Sequence, residues 1–191
     1  MTRIGLVLSL FLAACASTPP ERAYYLLRAE VPEELAVAAP DASIGMGHVL
    51  LAPYLDRTGI MVQVDEHRVR EARYHLWAEP LDEGIWYYLH DQVSSRLNSA
   101  LASGPRADSW RYRVDVSVEE FHGTLNGAAR LAARWSLYDL SSGAVIETRT
   151  FTRERRQTGD GYAALVETQT ALLDELAETI ARSLRTLDPG T

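Results

Sequence analysis

The sequence predicts an α+β domain: a mainly antiparallel sheet with two long helices packed on one face, a two-layer α/β sandwich. Three observations carry this. Two segments repeat apolar residues at helical spacing, Ile85, Leu89, Val93, Leu97 and Leu101 in one, and Leu165, Leu172, Leu173, Leu176, Ile180, Leu184 and Leu187 in the other. Each helix therefore has one apolar stripe. Further segments alternate apolar and polar residues, the mark of a strand with one buried face. One-faced helices and one-faced strands cover each other most economically as two layers. The predicted order is β-β-β-α-β-β-β-α.

The chain opens with a leader. Arg3 gives a short positive region, and Ile4 to Leu12 is an apolar run of nine positions. A bilayer span needs about 20 residues, whereas nine fit the apolar centre of a secretory signal. Leu12-Ala13-Ala14-Cys15 follows and resembles a bacterial lipobox. That resemblance implies cleavage after Ala14, diacylglycerol on the Cys15 thiol and acylation of the new amine; a thiol is required because sulfur is the nucleophile. The competing assignment is an ordinary signal peptide with a chance cysteine, although Cys15 is the only cysteine in the chain. Two or more acyl chains give stable anchoring without a transmembrane helix. In the bacterial sorting rule an aspartate after the cysteine retains lipoproteins in the inner membrane, and Ala16 points instead to the periplasmic face of the outer membrane. The expected division is 1–14 signal peptide, 15–23 lipidated tether rich in proline and small polar residues, and 24–191 a single periplasmic α/β domain.

In that domain Tyr24 to Leu27 reads as the first strand. Residues 31–45 read as loop, with Gly45 and Gly47 before the next element. His48 to Ala52 is an apolar strand ended by Pro53, Asp56 to Gly59 is turn chemistry, and Ile60 to Val64 is a further strand. The charged run 65–75 reads as a surface excursion or an edge strand. Leu76 to Leu81 leads into the first helix, with Asp82 as candidate N-cap and Gly104-Pro105 as its stop. Tyr112 to Val118 alternates cleanly, and the phase breaks at Phe121, which predicts a bulge or strand end near Glu120. Leu131 to Leu137 is the next strand, Ser141-Ser142-Gly143 a turn, and Val145 to Thr152 the return strand of a hairpin. Glu154 to Gly161 reads as a charged loop and Tyr162 to Leu187 as the second helix.

Composition excludes several functions. The chain carries 19 basic residues, all arginine, against 26 acids, a net charge of −7. Without Arg3 and the rest of the leader, 18 arginines face 26 acids, a net of −8. This argues against broad nucleic-acid binding, which needs a basic field. The lack of lysine removes Schiff-base chemistry and a P-loop. With Cys15 lipidated, no disulfide, thiolate enzyme or cysteine metal site remains. His48, His67, His75, His90 and His122 follow no metal-ligand spacing, and no Gly-x-Ser-x-Gly elbow occurs. No enzyme activity, metal or cofactor is expected.

Tyr25-Leu26-Leu27, Val49 through Pro53-Tyr54-Leu55-Asp56-Arg57 with Ile60-Met61-Val62, and Trp77-Ala78-Glu79-Pro80-Leu81 together resemble the ABC-type transport auxiliary lipoproteins of the PqiC/YmbA type. Val116-x-Val118-x-x-Phe121 and Trp135-x-Leu137 are similar too. The resemblance covers nearly all of the chain after the tether; the Pro-Tyr-Leu-Asp-Arg and Trp-Ala-Glu-Pro-Leu stretches are its specific parts. Thr58-Gly59 departs from it, where relatives often carry a proline-containing turn. It implies a small α/β sandwich and a non-catalytic role as the outer-membrane subunit of an MCE/ABC-type intermembrane lipid transport system supporting envelope integrity. The implied partners are a periplasm-spanning MCE-domain protein and inner-membrane transport components, with a homo-oligomeric ring around the spanning protein compatible with that role. The alternative is an assembly or plug lipoprotein for an outer-membrane β-barrel.

The candidate partner-binding residues are Tyr54, Asp56, Arg57, Trp77, Glu79 and Trp86. For Asp56 and Arg57 the simpler assignment is a turn in which Asp56 accepts from nearby amides and Arg57 is solvated. Trp77 fits a docking edge, because tryptophan is enriched at binding hot spots, and equally fits the core beside Leu81, with Pro80 setting the helix start. Trp86, Tyr87 and Tyr88 include residues beyond the apolar stripe, which predicts some exposed aromatic surface for a partner or lipid. Arg149, Arg153, Arg155 and Arg156 suit phosphate or acidic partners, or simply solvate a hairpin end.

Overall fold

The computed structural model describes residues 20–30, 41–103 and 110–187. In chain order the elements are β1 (Ala23–Tyr25), β2 (Asp41–Leu51), β3 (Gly59–Gln63), β4 (Val69–Trp77), α1 (Leu81–Leu97), β5 (Leu101–Ala102), β6 (Tyr112–Gly123), β7 (Ala128–Asp139), β8 (Ala144–Arg156) and α2 (Gly161–Leu184). The α+β class holds, and the two helices pack on each other and on the sheet. The strand pairing differs from the expectation of a mainly antiparallel sheet. The eight strands form one mixed, curled sheet in which β1–β4, β2–β5, β2–β6 and β3–β6 are parallel and β3–β4, β6–β7 and β7–β8 antiparallel.

β6 organises the sheet. One of its edges carries β7 and then β8; it also pairs with β2 along Tyr112–Val118 and with β3 at Gly123. Its inward residues Val114, Val116 and Val118 are buried, and the register shifts between Val118 and Glu120. The bulge puts Phe121 on the core side, where it is 1% exposed. Trp135 and Leu137 of β7 continue the same apolar layer beneath Leu172, Leu176 and Ile180 of α2.

Several local expectations are corrected. Residues 41–45 belong to β2, and residues 31–40 lie outside the described chain. Gly45 and Gly47 sit inside that strand because other groups press on the backbone there: a Cβ on Gly45 would lie 2.1 Å from the Trp110 ring, and one on Gly47 2.0 Å from Asp115 Oδ1. Glycine in a strand marks such a close approach. The run 65–75 is largely β4: it pairs with β3 along one side, and among the described residues only His75 of the run pairs with β1 on the other, so most of it is the edge strand allowed for.

The first helix begins at Leu81 with Pro80 as its cap residue, so Asp82 falls in the first turn instead of capping it. It ends at Asn98, held in the left-handed region at φ 52°, well before Gly104-Pro105, which lies outside the described residues. Leu101 accordingly leaves the helical stripe for β5. Its N–H donates to Ser94 Oγ at 3.0 Å, and its carbonyl lies 3.1 Å from His90 Nε2. Residues 154–156, expected as loop, continue β8.

Candidate partner-binding site

Two stretches of chain meet at the start of α1. Trp77 closes β4, is 7% exposed and stacks on Phe121 with ring centroids 6.1 Å apart. Leu81 is buried at the first helical position, and Gly84 N–H donates to the Pro80 carbonyl. The two apolar residues of the Trp-Ala-Glu-Pro-Leu stretch are thus core anchors, and the residues between them are held at the surface. On the facing side Leu55 is 1% exposed, Ala52 N–H donates to the Val118 carbonyl, and Tyr54 Oη donates to the Glu119 carbonyl at 3.2 Å. Burial, then the charge of Glu120, pushes the Tyr54 phenol up to about 12, so it stays a neutral donor. Pro53-Tyr54-Leu55 thereby pins the loop to β6 and leaves Asp56 and Arg57 exposed.

Between these stretches lies a cleft of about 530 Å³ lined by residues that include Asp56, Arg57, Glu71, Trp77, Glu79 and Leu81. It brings together four of the six residues singled out from the sequence. The Asp56 carboxylate has no partner among the described residues, and Arg57 Nη1 donates only to the Asp56 carbonyl at 3.1 Å. Among the described residues Asp56 and Arg57 form no ion pair with each other, and no backbone amide donates to the Asp56 side chain.

Trp86 lines a second cleft, of about 380 Å³, with Gly47, His48, Val49, Asp82, Glu83 and Tyr87. Its indole N–H donates to the Gly47 carbonyl at 2.7 Å, its ring stacks on His90 at 5.0 Å, and Tyr87 meets it edge-on at 5.2 Å. Tyr87 is 45% exposed, whereas Tyr88 is buried and donates to Asp174. Tyr54 lines neither cleft; its role here is to hold the loop.

Arg28 joins the two clefts and had no sequence signal, because its partners lie more than fifty positions away. Its guanidinium grips both Glu79 carboxylate oxygens, at 2.6 Å for Nη2 to Oε2, and sits 5.4 Å from the Tyr87 ring centre. The hydrogen bonds from Arg28 hold the Glu79 carboxyl below its ordinary range. A lowered carboxyl pKa stabilises the folded state fully above the unfolded value, near 4.3, and that contribution is lost as pH falls through the folded value. Because the Arg28 side chain is 47% exposed, screening limits the pair to about 0.5–1 kcal/mol. Arg28→Ala is expected to return Glu79 towards the ordinary range in a carboxyl-detected NMR titration; an unmoved midpoint would contradict the pairing.

Cys15 lies outside the described residues. Among those described, no group of histidine, cysteine and acidic residues could hold a metal ion. Among the described residues no helix is long and apolar enough to cross a membrane.

A family model described as ABC-type transport auxiliary lipoprotein component matches residues 24–181. The intermembrane transport lipoprotein PqiC of Escherichia coli (strain K12) is 26% identical over 182 residues, spanning 95% of this chain and 96% of that protein; PqiC of Shigella flexneri matches equally. A crystal structure of an uncharacterized protein superposes with a TM-score of 0.73 at 26% identity, over 86% of this chain and 99% of the other. A Xanthomonas campestris protein superposes at 0.67 and 20% identity, over 86% and 96%, and supports the fold alone.

Proposed function

Because this chain belongs to the ABC-type transport auxiliary lipoprotein family, we propose that it is the non-catalytic, outer-membrane-anchored subunit of an intermembrane lipid transport system, and that it docks a periplasm-spanning MCE-domain partner. The lipid on Cys15 fixes the domain to the periplasmic leaflet, with Ala16 favouring the outer membrane. The two linked clefts receive the partner, and inner-membrane components complete the route. A homo-oligomer of this subunit around the spanning partner is part of the same reading.

The observation that carries the docking assignment is the convergence of the two specific sequence stretches. Chain segments some twenty residues apart meet to present Asp56, Arg57 and Glu79 over a Trp77–Leu81 floor. Arg28 links that surface to exposed Tyr87 and half-buried Trp86. Among the described residues Asp56 and Arg57 make no side-chain ion pair, which leaves their charges for a partner. Exposed charges beside aromatic side chains can supply electrostatic complementarity and anchors to a partner.

Both residues are exposed, so replacing them leaves the fold intact. The double variant D56A/R57A, folded as judged by circular dichroism, is expected to capture at least tenfold less MCE-domain protein and to leave cells more sensitive to detergent. Unchanged capture and unchanged sensitivity would overturn the assignment of this surface.

A further inference from the structure

β8 ends the sheet on the side away from the two clefts: β7 and β6 separate it from β2 and β3. It is 13 residues long and, among the described residues, pairs with β7 alone. Phe151 is its one buried residue, and Val145 and Ile146 are 56% and 46% exposed. One edge of backbone donors and acceptors is therefore open along a strand about twice the usual length.

Proteins ordinarily shorten, cover or charge such edges. Here the charge has one dominant sign. β8 carries Arg149, Arg153, Arg155 and Arg156 against Glu147 and Glu154, in a chain whose net charge is −7. Arg153 and Arg155 stand two positions apart, so both point to the helix side. There they share a single carboxylate, Glu175 of α2, at 4.0 and 3.3 Å. Beside them a cleft of about 590 Å³ runs between β8 and α2, lined by Phe151 and Ala171 and by Arg96 and Arg182, whose charges Asp174 and Glu178 already meet. Among the described residues the Arg156 guanidinium has only the Asn126 carbonyl, at 3.5 Å.

We propose that the open edge of β8 is a second interaction surface, which accepts an extended, acidic segment of a partner protein as an added strand. Main-chain hydrogen bonds along the edge supply affinity, and side chains at alternate positions supply selectivity. Acidic residues spaced two apart on the added strand repeat at about 6.7 Å, the spacing of Arg153 and Arg155, and complete the pairing that Glu175 alone provides. The same charges disfavour a second copy of β8 in this position. Edge-to-edge registers that use residues 149–156 most fully oppose arginine to arginine, which destabilises a strand pair. The inference does not depend on the clefts at the start of α1 and fails separately from them.

The test uses the full lipidated protein in phosphatidylethanolamine nanodiscs and two fluorescent eight-residue peptides, one alternating valine with glutamate and one alternating valine with arginine. The expected result is saturable binding of the acidic peptide alone, weakening with salt, with hydrogen exchange slowed at least tenfold within 144–156. R153A/R155A is expected to weaken binding about tenfold, the equivalent of two exposed ion pairs, while exchange elsewhere stays unchanged. Equal binding of both peptides, protection outside β8, or indifference to R153A/R155A would overturn it. Protection of β8 that rises with protein concentration without peptide would also overturn it, by identifying a second copy as the occupant.

Discussion

Trp135→Ala is expected to destabilise the domain by about 3–5 kcal/mol, the range for removing a large aromatic from a packed core. Trp135 is fully buried on β7, opposite Val116 on β6 and Arg149 on β8, in the layer that α2 covers. Few other side chains fill as much of the space between sheet and helix, and a close-packed interior relaxes only partly into a cavity. For a domain of this size the loss amounts to a fall of roughly 6–20 °C in Tm. Trp135→Phe separates volume from hydrogen bonding. Among the described residues the indole N–H has no partner, so its removal costs no hydrogen bond there and relieves a buried unsatisfied donor. The phenylalanine variant should therefore lose only about 1–2 kcal/mol. Urea unfolding followed by circular dichroism checks both, and equal losses for the two variants would contradict this account of the core.

Cys15→Ser has the largest expected effect on behaviour. The acyl chains proposed on Cys15 each contribute about 0.8 kcal/mol per buried methylene, and two or more chains give stable anchoring where one is marginal. Nothing else in the described chain replaces them. No helix there is long and apolar enough to span a bilayer, and an acidic protein, here with a net charge of −7, gains nothing from anionic head groups. The variant should incorporate no labelled fatty acid, retain its leader or lose its anchor, and drop from nearly all to background in the outer-membrane fraction. Outer-membrane anchoring at the native level would show that Cys15 is an ordinary residue near a signal sequence.

The parts of the fold legible from sequence were those with a local pattern. Val114, Val116 and Val118 announced β6, Trp135 and Leu137 announced β7, the phase break at Phe121 matched the register shift, and Gly143 turns with φ at 72°. Strand direction was not legible, because parallel and antiparallel strands share the period of two. β1 pairs with β4 across about fifty residues, and β2 with β6 across about seventy. No local residue records those choices. The charged run of β4 left an edge strand and a surface excursion equally open, because only Ala72 and Trp77 of it are buried. Leu101 matched the helical stripe by spacing, but the left-handed turn at Asn98 diverts it to β5. The candidate surface divided in the same way. Trp77 and Glu79 stood out in one motif and Asp56 and Arg57 in another, whereas their meeting in one cleft, and Arg28 as the link to Tyr87, required the tertiary structure.

The central claim, that this lipoprotein docks an MCE-domain partner at the outer membrane, is tested most directly in intact cells. A photo-crosslinking amino acid at position 57 and a C-terminal affinity tag would allow capture and identification of the covalent partner by mass spectrometry. The account predicts an MCE-domain protein, joined at position 57 and absent when the crosslinker is placed at exposed Glu167 of α2. Recovery of an outer-membrane β-barrel with no MCE-domain protein would contradict it and identify an assembly or plug lipoprotein instead.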